Sequence, residues 1–291
     1  MICIISKDAT YGNCAGLAKA ISATNNVELI LSHTDKKDMY KQFPAKFGYK
    51  NIPDSADQTI IVGAISFNEA YTNAPARIDR LLKNSKAKII LTDSFYLNRY
   101  EKLNDLYDKM GLIVYCMPQL LYCRGDRKTL PYYQPFDLFS YPVVKNEKLT
   151  ICHTPFHSSK IDLKGTKYIN SFVNDFDVRY DLVMNKTWQE TLKIRSASHI
   201  SIDAIVKIGE WTNGVGKSGL EAMWLGSAVI TTGHQVYTEQ IPPPPILYTT
   251  IEDFKNDLRT LIFNDDFRND QVLEQRRWAE KYTSYEFVSK H

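Results

Sequence analysis

Four glycines, Gly209, Gly214, Gly216 and Gly219, crowd around the pair Lys217-Ser218 in the string GEWTNGVGKSG (209–219). Glycine permits positive φ and close approach of backbone to a ligand. A helix opening near Ser218 adds amides at the positive end of its dipole. Amides of Gly214, Gly216, Lys217 and Ser218 can therefore cradle an anion, above all a diphosphate. The string is not a P-loop, because G-x-x-x-x-G-K-[ST] ending at Ser218 needs glycine at position 211, where the chain has Trp211.

Other chemistry-bearing residues are scattered. Asp8 in SKDATYGNCAG (6–16), Ser66 and Asn68, and Asp93 with Ser94 each follow an apolar run, where an open α/β sheet binds its ligand. Asp8 reads equally as the N-cap of the next helix. The six histidines (His33, His153, His157, His199, His234, His291) have no metal-ligand spacing, and no Ser/His/Asp triad, H-E-x-x-H or C-x-x-C pattern occurs. Glu221 stands among Leu220, Ala222, Met223 and Leu225, with Gly226 placed to end that helix in a left-handed cap. A solvated helix-face carboxylate is the plainer alternative.

The string GLEAMWLGSAVI (219–230) resembles the donor-binding signature of GT-B glycosyltransferases, in particular the retaining family-4 group, whose helix reads roughly G-x-x-L-E-A-M-A-x-G-x-P-V-I. The resemblance implies that Glu221 accepts hydrogen bonds from the ribose hydroxyls of a nucleotide. TICHTPFHSSKIDLKGTK (150–167) is similar to the family's first strand and loop, which implies Lys160 and Lys164 on the donor phosphates, with Gly165 opening the helix. Residues 181–203 resemble the family's strand, helix carrying residues that flank the base, and following strand, and RRWAEKY (276–282) resembles the last helix, which returns to the first domain. The likeness spans about residues 149–288 and covers the front half only loosely. One position departs from it: the family's first glutamate, eight residues before the second, is Asn213 here. Glu210 substitutes only if the loop is threaded differently, and Trp211 is either a stacking or a packing residue.

The fold implied is α/β of the GT-B type, two Rossmann-like doubly wound domains facing across a cleft. The activity implied is transfer of a hexosyl or pentosyl group from a nucleotide-sugar donor to an acceptor hydroxyl, with retention. It requires no metal and no cofactor beyond the nucleotide-sugar cosubstrate. In this frame Gly12 lies in the front loop near a phosphate, and Asp93 and Asp8 are the candidate catalytic residues, Asp93 as the contact to the acceptor hydroxyl. Basic residues gather at Arg77, Arg80, Lys83, Lys86 and Lys88, and again at Arg124, Arg127 and Lys128 beside Tyr132 and Tyr133. Phosphates and a stacked base suit such a strip. DNA is thus a possible acceptor, as for phage enzymes that glycosylate hydroxymethylated bases, and a non-catalytic nucleic-acid-binding protein is the alternative. A solvated helix face explains the first cluster without either.

These residues need a scaffold, and the chain supplies an alternation. Residues 1–6, 27–32, 59–64, 87–92 and 112–116 are short, β-branched apolar runs with the length of buried parallel strands, separated by helical spacing at 14–23, 70–82 and 97–110. A Pro- and Tyr-rich stretch, 118–148, interrupts, and Tyr141–Lys148 reads as the linker. A second series follows, with strands at 149–153, 178–184, 199–204 and 228–232 and helices at 165–174, 187–196, 218–225, 251–263 and 267–282. Two domains result, 1–146 on the acceptor side and 147–291 for the nucleotide sugar, with the C-terminal helix returning to the first. Pro242–Pro245 lacks four amide donors and reads as a stiff surface connection.

The composition agrees with a 291-residue globular protein, 44% apolar and 24% charged. No apolar run approaches a membrane span. Five scattered cysteines read as reduced thiols, so a cytoplasmic location is expected. Net charge is uneven: residues 1–150 hold 20 Lys and Arg against 15 Asp and Glu, whereas residues 151–291 hold 16 against 18, so an anionic partner suits the front half.

Overall fold

The computed structural model describes residues 1–6, 13–31, 45–47, 49–62, 70, 72–92, 107–116, 128–129, 138–155, 162, 164–206, 215–233 and 241–290. The chain divides into two compact units, Met1–Pro135 with Tyr285–His291, and Phe136–Ser284.

The first unit contains β1 (Ile2–Ser6), α1 (Asn13–Ser22), β2 (Val27–Leu31), β3 (Ala45–Phe47), β4 (Gln58–Val62), α2 (Pro75–Lys83), β5 (Ala87–Thr92), β6 (Ile113–Cys116) and β7 (Lys128–Thr129). The strands form one parallel sheet in the order β3-β2-β1-β4-β5-β6-β7, so the direction of winding reverses between β1 and β4. The period of two sorts their side chains. Cys3, Ile5, Ile30, Ile61 and Ile90 face α2 through Ile78, Leu81 and Leu82, while Ile2, Ile4, Leu29 and Ile60 face α1 through Leu17 and Ala18. Burial on both faces is why these runs read as almost continuously apolar. Of the helix expected over 70–82, residues 70, 72 and 73 are helical and α2 runs from Pro75; the two are separated by a break at Ala74, which sits at φ −147° because a residue before proline avoids the helical region.

The second unit contains β8 (Thr150–His153), α3 (Thr166–Val173), β9 (Arg179–Leu182), α4 (Trp188–Ala197), β10 (Ile200–Ile202), α5 (Lys217–Trp224), β11 (Ala228–Thr232), β12 (Leu247–Thr249), α6 (Phe254–Phe263) and α7 (Asp265–Tyr282). Its parallel sheet has the order β12-β11-β10-β8-β9. Helices α3 and α6 bury Ile169, Val173, Phe254, Leu258 and Leu261 against Ile151, Ile200, Ile202 and Ile230. Helix α5 packs on β11, α4 and α7 and is buried from Ser218 to Trp224. It ends as a Schellman turn: Gly226 has φ +68°, the Gly226 amide donates to the Met223 carbonyl at 3.2 Å, and the Ser227 amide donates to the Ala222 carbonyl at 3.0 Å. Helix α4 opens with a capping box between Thr187 and Glu190.

The segment read as a linker lies on the second unit. Lys145 donates to the carbonyls of Ser198 (2.5 Å) and Leu225 (2.9 Å), the terminal carbonyls of α4 and α5, where a cation complements both helix dipoles. Burial pulls its pKa down to about 8. The Asn146 amide donates to Ala197 O at 3.0 Å. The proline run contains no helix or strand and is pinned by the Trp278 indole, which donates to Pro242 O at 2.9 Å. The short β3, β7 and β12 were not anticipated, since two or three residues carry no period. Of the helix expected at 97–110, only residues 107–110 are described, and 107–109 are helical. The last helix, α8 (Tyr285–Lys290), belongs to the first unit, where Val288 joins the α1 core and Lys19 lies 5.2 Å from the Tyr285 ring centre. Among the described residues, no helix is long and apolar enough to cross a membrane.

Candidate functional site

In the second sheet, strand order reverses between β10 and β8, and an open parallel sheet binds ligands beyond the carboxyl ends of its strands at such a point. Three pieces of chain meet there. The turn Lys164-Gly165 returns from β8, Asp203–Val206 leaves β10, and Gly216 leads into α5. The first two are stapled together, since the Ile205 amide donates to Lys164 O at 3.0 Å. Gly165 has φ +70°, and a Cβ there would lie 1.8 Å from the Ile205 carbonyl oxygen, so only glycine closes this corner.

Asp203 joins all three. Its carboxylate, 2% exposed, accepts from the Lys164 ammonium (2.8 Å), the Gly216 amide (2.6 Å) and the Ser218 hydroxyl, and Lys164 also donates to Ser218 Oγ at 2.5 Å. Burial alone would raise the Asp203 pKa, but the adjacent Lys164 charge and these hydrogen bonds hold it below the ordinary carboxylate range. The acid is therefore ionised at neutral pH. Gly219 is forced by packing, because a Cβ there would meet Val215 Cγ2 at 2.3 Å. The N-cap residue of α5, Gly216, has no side chain with which to cap the helix. Two ammonium groups, Lys164 at 19% exposure and Lys217 at 20%, stand at this helix start and remain within reach of solvent. The arrangement can hold a doubly charged anion.

One turn further along α5, Glu221 is closed off. It is 2% exposed, its Oε1 accepts from the Trp188 indole at 2.8 Å, and its Oε2 is paired with the Arg195 guanidinium. Lys217 Nζ lies 3.6 Å from Oε1 and 5.9 Å from the Trp188 ring centre. Arg195 also donates to Thr154 Oγ1 at 2.9 Å, while its Nε has no hydrogen-bond partner among the described residues. The acid thus serves an internal ion pair, and a nucleotide hydroxyl would have to use what remains of its roughly four acceptor positions.

No protein-family model matches the sequence, and no curated protein matches it. Solved structures do. An alpha-glucosyltransferase in complex with UDP-glucose and DNA containing an abasic site has TM-score 0.66 at 12% identity, over 99% of this chain and 97% of that one. HepE of Anabaena, in complex with UDP and glucose, has TM-score 0.68 at 10% identity, over 100% and 97%. Sucrose-phosphate synthase of Thermosynechococcus elongatus has TM-score 0.58 at 10% identity, over 100% and 96%. The chain has the GT-B fold.

In this GT-B chain the structure brings together five of the residues singled out in the sequence, namely Lys164, Gly216, Lys217, Ser218 and Glu221. Asp8, Gly12, Asp93, Lys160 and Gly214 lie outside the described residues, as do Ser66, Asn68, Ser94, Glu210, Trp211 and Asn213. Sequence reasoning missed Asp203, Arg195 and Trp188. Asp203 gave one signal, as the first charged residue after the apolar ISI of β10. Arg195 and Trp188 gave none, since each looks like an ordinary residue of a polar helix.

Two neighbouring groups are structural. Helix α3 is capped by its own loop, with Asp162 accepting from the amides of Thr166 (2.7 Å) and Lys167 (2.8 Å). His153 donates from Nδ1 to Ile202 O at 2.9 Å and accepts at Nε2 from Thr166 Oγ1 at 3.0 Å, the only tautomer a carbonyl partner allows. Burial pushes its pKa down to about 4, which makes it a neutral packing residue. In the first unit, Arg80 pairs with Asp54 (3.0 Å), Lys86 pairs with Asp57 (3.1 Å) and Arg77 donates to Ile52 O (3.3 Å), so much of that basic cluster is already matched. Of the second basic cluster, only the strand position of Lys128 is described.

Proposed function

We propose that this chain is a nucleotide-sugar-dependent glycosyltransferase. The observation that carries the reading is the built anion cradle at the β8/β10 reversal, with two reachable ammonium groups at a helix start, on a fold whose solved examples include complexes with UDP and UDP-glucose. In this reading the diphosphate rests on Lys164, Lys217 and the amides of Lys217 and Ser218, and the resemblance adds Lys160 and Gly214 to the grip. These groups neutralise the charge that grows on the leaving phosphate as the bond from the anomeric carbon to phosphate oxygen breaks. The acceptor oxygen bonds to that carbon, and its proton passes to the departing phosphate. The face of attack that preserves configuration, and the absence of any metal from the reaction, belong to the same proposal. The ribose contact that the resemblance gives Glu221 requires the nucleotide to uncover this carboxylate, which is 2% exposed and held by Trp188 and Arg195. The resemblance assigns Gly12 to the phosphate and Asp93 and Asp8 to the acceptor.

DNA is the acceptor favoured. Support comes from the alpha-glucosyltransferase bound to DNA, which matches nearly the whole chain, and from the excess of five positive charges in residues 1–150. A hydroxymethylated base would offer the required hydroxyl. A cytoplasmic location fits the buried free thiols of Cys3 and Cys152, the first with its pKa pushed up to about 12 by burial.

A thermal-shift screen of UDP-, GDP-, ADP- and CMP-sugars tests the reading, because a ligand that binds only the native state raises its melting point. One nucleotide series is expected to stabilise the protein, and turnover with that donor is expected to survive a chelator. If no nucleotide raises the melting point, the reading falls. Salt-dependent retention of DNA without turnover of any donor would favour the non-catalytic alternative.

A further inference from the structure

A lysine side chain samples many rotamers, and an anion that meets a mobile ammonium must order it on binding. Lys164 is already ordered. Its ammonium is fixed between Asp203 Oδ1 at 2.8 Å and Ser218 Oγ at 2.5 Å, and its carbonyl is fixed by the Ile205 amide. Left to itself, such a side chain would extend into water. We propose that Asp203 is a positioning residue for anion binding, holding the Lys164 ammonium beside the start of α5 where an incoming diphosphate meets it.

Asp203 is 2% exposed, so it acts through Lys164, which is 19% exposed. Its three donors come from residues 164, 216 and 218, and a single carboxylate therefore joins the turn after β8 to the start of α5. The backbone is cut to fit it: a Cβ on Gly216 would lie 3.0 Å from Asp203 Oδ2, and one on Gly219 would lie 3.3 Å from it. Asp162, in the connection that leads into α3, accepts from the amides of Thr166 and Lys167. Asp203, in the connection that leads into α5, accepts from a lysine ammonium as well as from an amide and so fixes a cation beside the helix start. The consequence is preorganisation, in which the subsite is assembled before the ligand arrives.

The inference rests on the proposed function for the identity of the ligand, but not for the presence of an anion subsite. Calorimetric titration of the whole protein with inorganic pyrophosphate, UDP and uridine separates the two. Asp203→Asn is expected to weaken pyrophosphate and UDP by the same factor, about tenfold, and to leave uridine unchanged. In a Lys164→Met background, Asp203→Asn is expected to add less than about threefold, because its effect runs through that ammonium. Ser218→Ala, which keeps both charges, is expected to cost pyrophosphate about threefold and serves if Asp203→Asn does not fold. Unchanged pyrophosphate affinity in these variants, a loss as large without Lys164 as with it, or no pyrophosphate binding by the native protein would each overturn the inference. Pyrophosphate binding that depends on Asp203, with no affinity for UDP or any other nucleoside diphosphate, supports the inference and sinks the sugar-nucleotide reading instead.

Discussion

Two buried ion pairs flank the first turns of α5, and access separates them. In Arg195–Glu221 both side chains are sealed, at 3% and 2% exposure, whereas in Lys164–Asp203 the acid is sealed at 2% and the base remains open at 19%. Both pairs join segments far apart in sequence, and both carry extra donors, the Trp188 indole on Glu221 and the Gly216 amide on Asp203. A sealed pair satisfies itself and orients the helices that carry it. A half-open pair presents a fixed charge to whatever enters. Stability should therefore depend more on the first pair and anion binding more on the second.

The largest effect should come from breaking the sealed pair. Arg195→Met leaves the Glu221 carboxylate buried beside an indole and a lysine, and removing one partner of such a pair costs about 3–5 kcal/mol. Urea unfolding should show this loss, and the double variant Arg195→Met/Glu221→Leu should recover most of it, because two apolar side chains need no compensation. Lys164→Met should cost less, about 1–2 kcal/mol, since Asp203 keeps an amide and a hydroxyl as donors. The ranking should invert for affinity, with Lys164→Met weakening pyrophosphate more than Arg195→Met does. Equal stability losses in the two single variants would remove the distinction between the pairs.

The sequence revealed the sheet-forming runs and the glycines because both obey local rules. Buried strands such as ICIIS and AVITT must be β-branched, and Gly226 must take a positive φ. The anion site was legible as far as Lys164 and Gly216 to Ser218 for the same reason. The partners that decide what the site does were not legible. Asp203 reaches Lys164 across 39 residues, and Arg195 reaches Glu221 across 26, separations that no periodicity encodes. Glu221 shows the consequence: read among its apolar sequence neighbours it was an isolated acid awaiting a ligand, yet it lies in an ion pair supplied by the adjacent helix. The short β12 after the proline run was missed because three residues in register with Ile230–Thr232 owe their strand to the neighbour and not to their own composition.

Between the two pairs in expected size stands a pH effect beside the open one. His153 is neutral in the fold, with its pKa pushed down to about 4 by burial and opposed only in part by its bond to Ile202. An unfolded histidine titrates near 6.5, so the unfolded chain binds more protons between pH 6.5 and 4, and stability must fall as pH falls through that window. The depression corresponds to about 3 kcal/mol, fully present above pH 6.5 and lost below about 4. Chemical denaturation across pH 4 to 7 should show a steeper decline for the native protein than for His153→Asn. Parallel profiles would mean that this histidine is solvated or already protonated, and the order around Thr166 and the Lys164 turn would need revision.

The smallest effect sets the scale for the comparison. Arg80 and Asp54 also form an ion pair, at 3.0 Å, but with 58% and 65% of their side chains exposed. Water and salt screen such a pair, and holding two long side chains together offsets most of the attraction. Arg80→Ala should therefore change stability by no more than about 0.5 kcal/mol, measured by the same urea titration. The same variant bears on the acceptor. If the α2 face grips DNA, the retention of a duplex at low salt should weaken in Arg80→Ala, whereas a charge already matched by Asp54 predicts no change. A marked loss of DNA retention with unaltered stability would move the acceptor surface onto α2; no loss leaves the pairing of this face, and its difference from the half-open lysine of the second unit, as the physical account of what each cluster of cations is for.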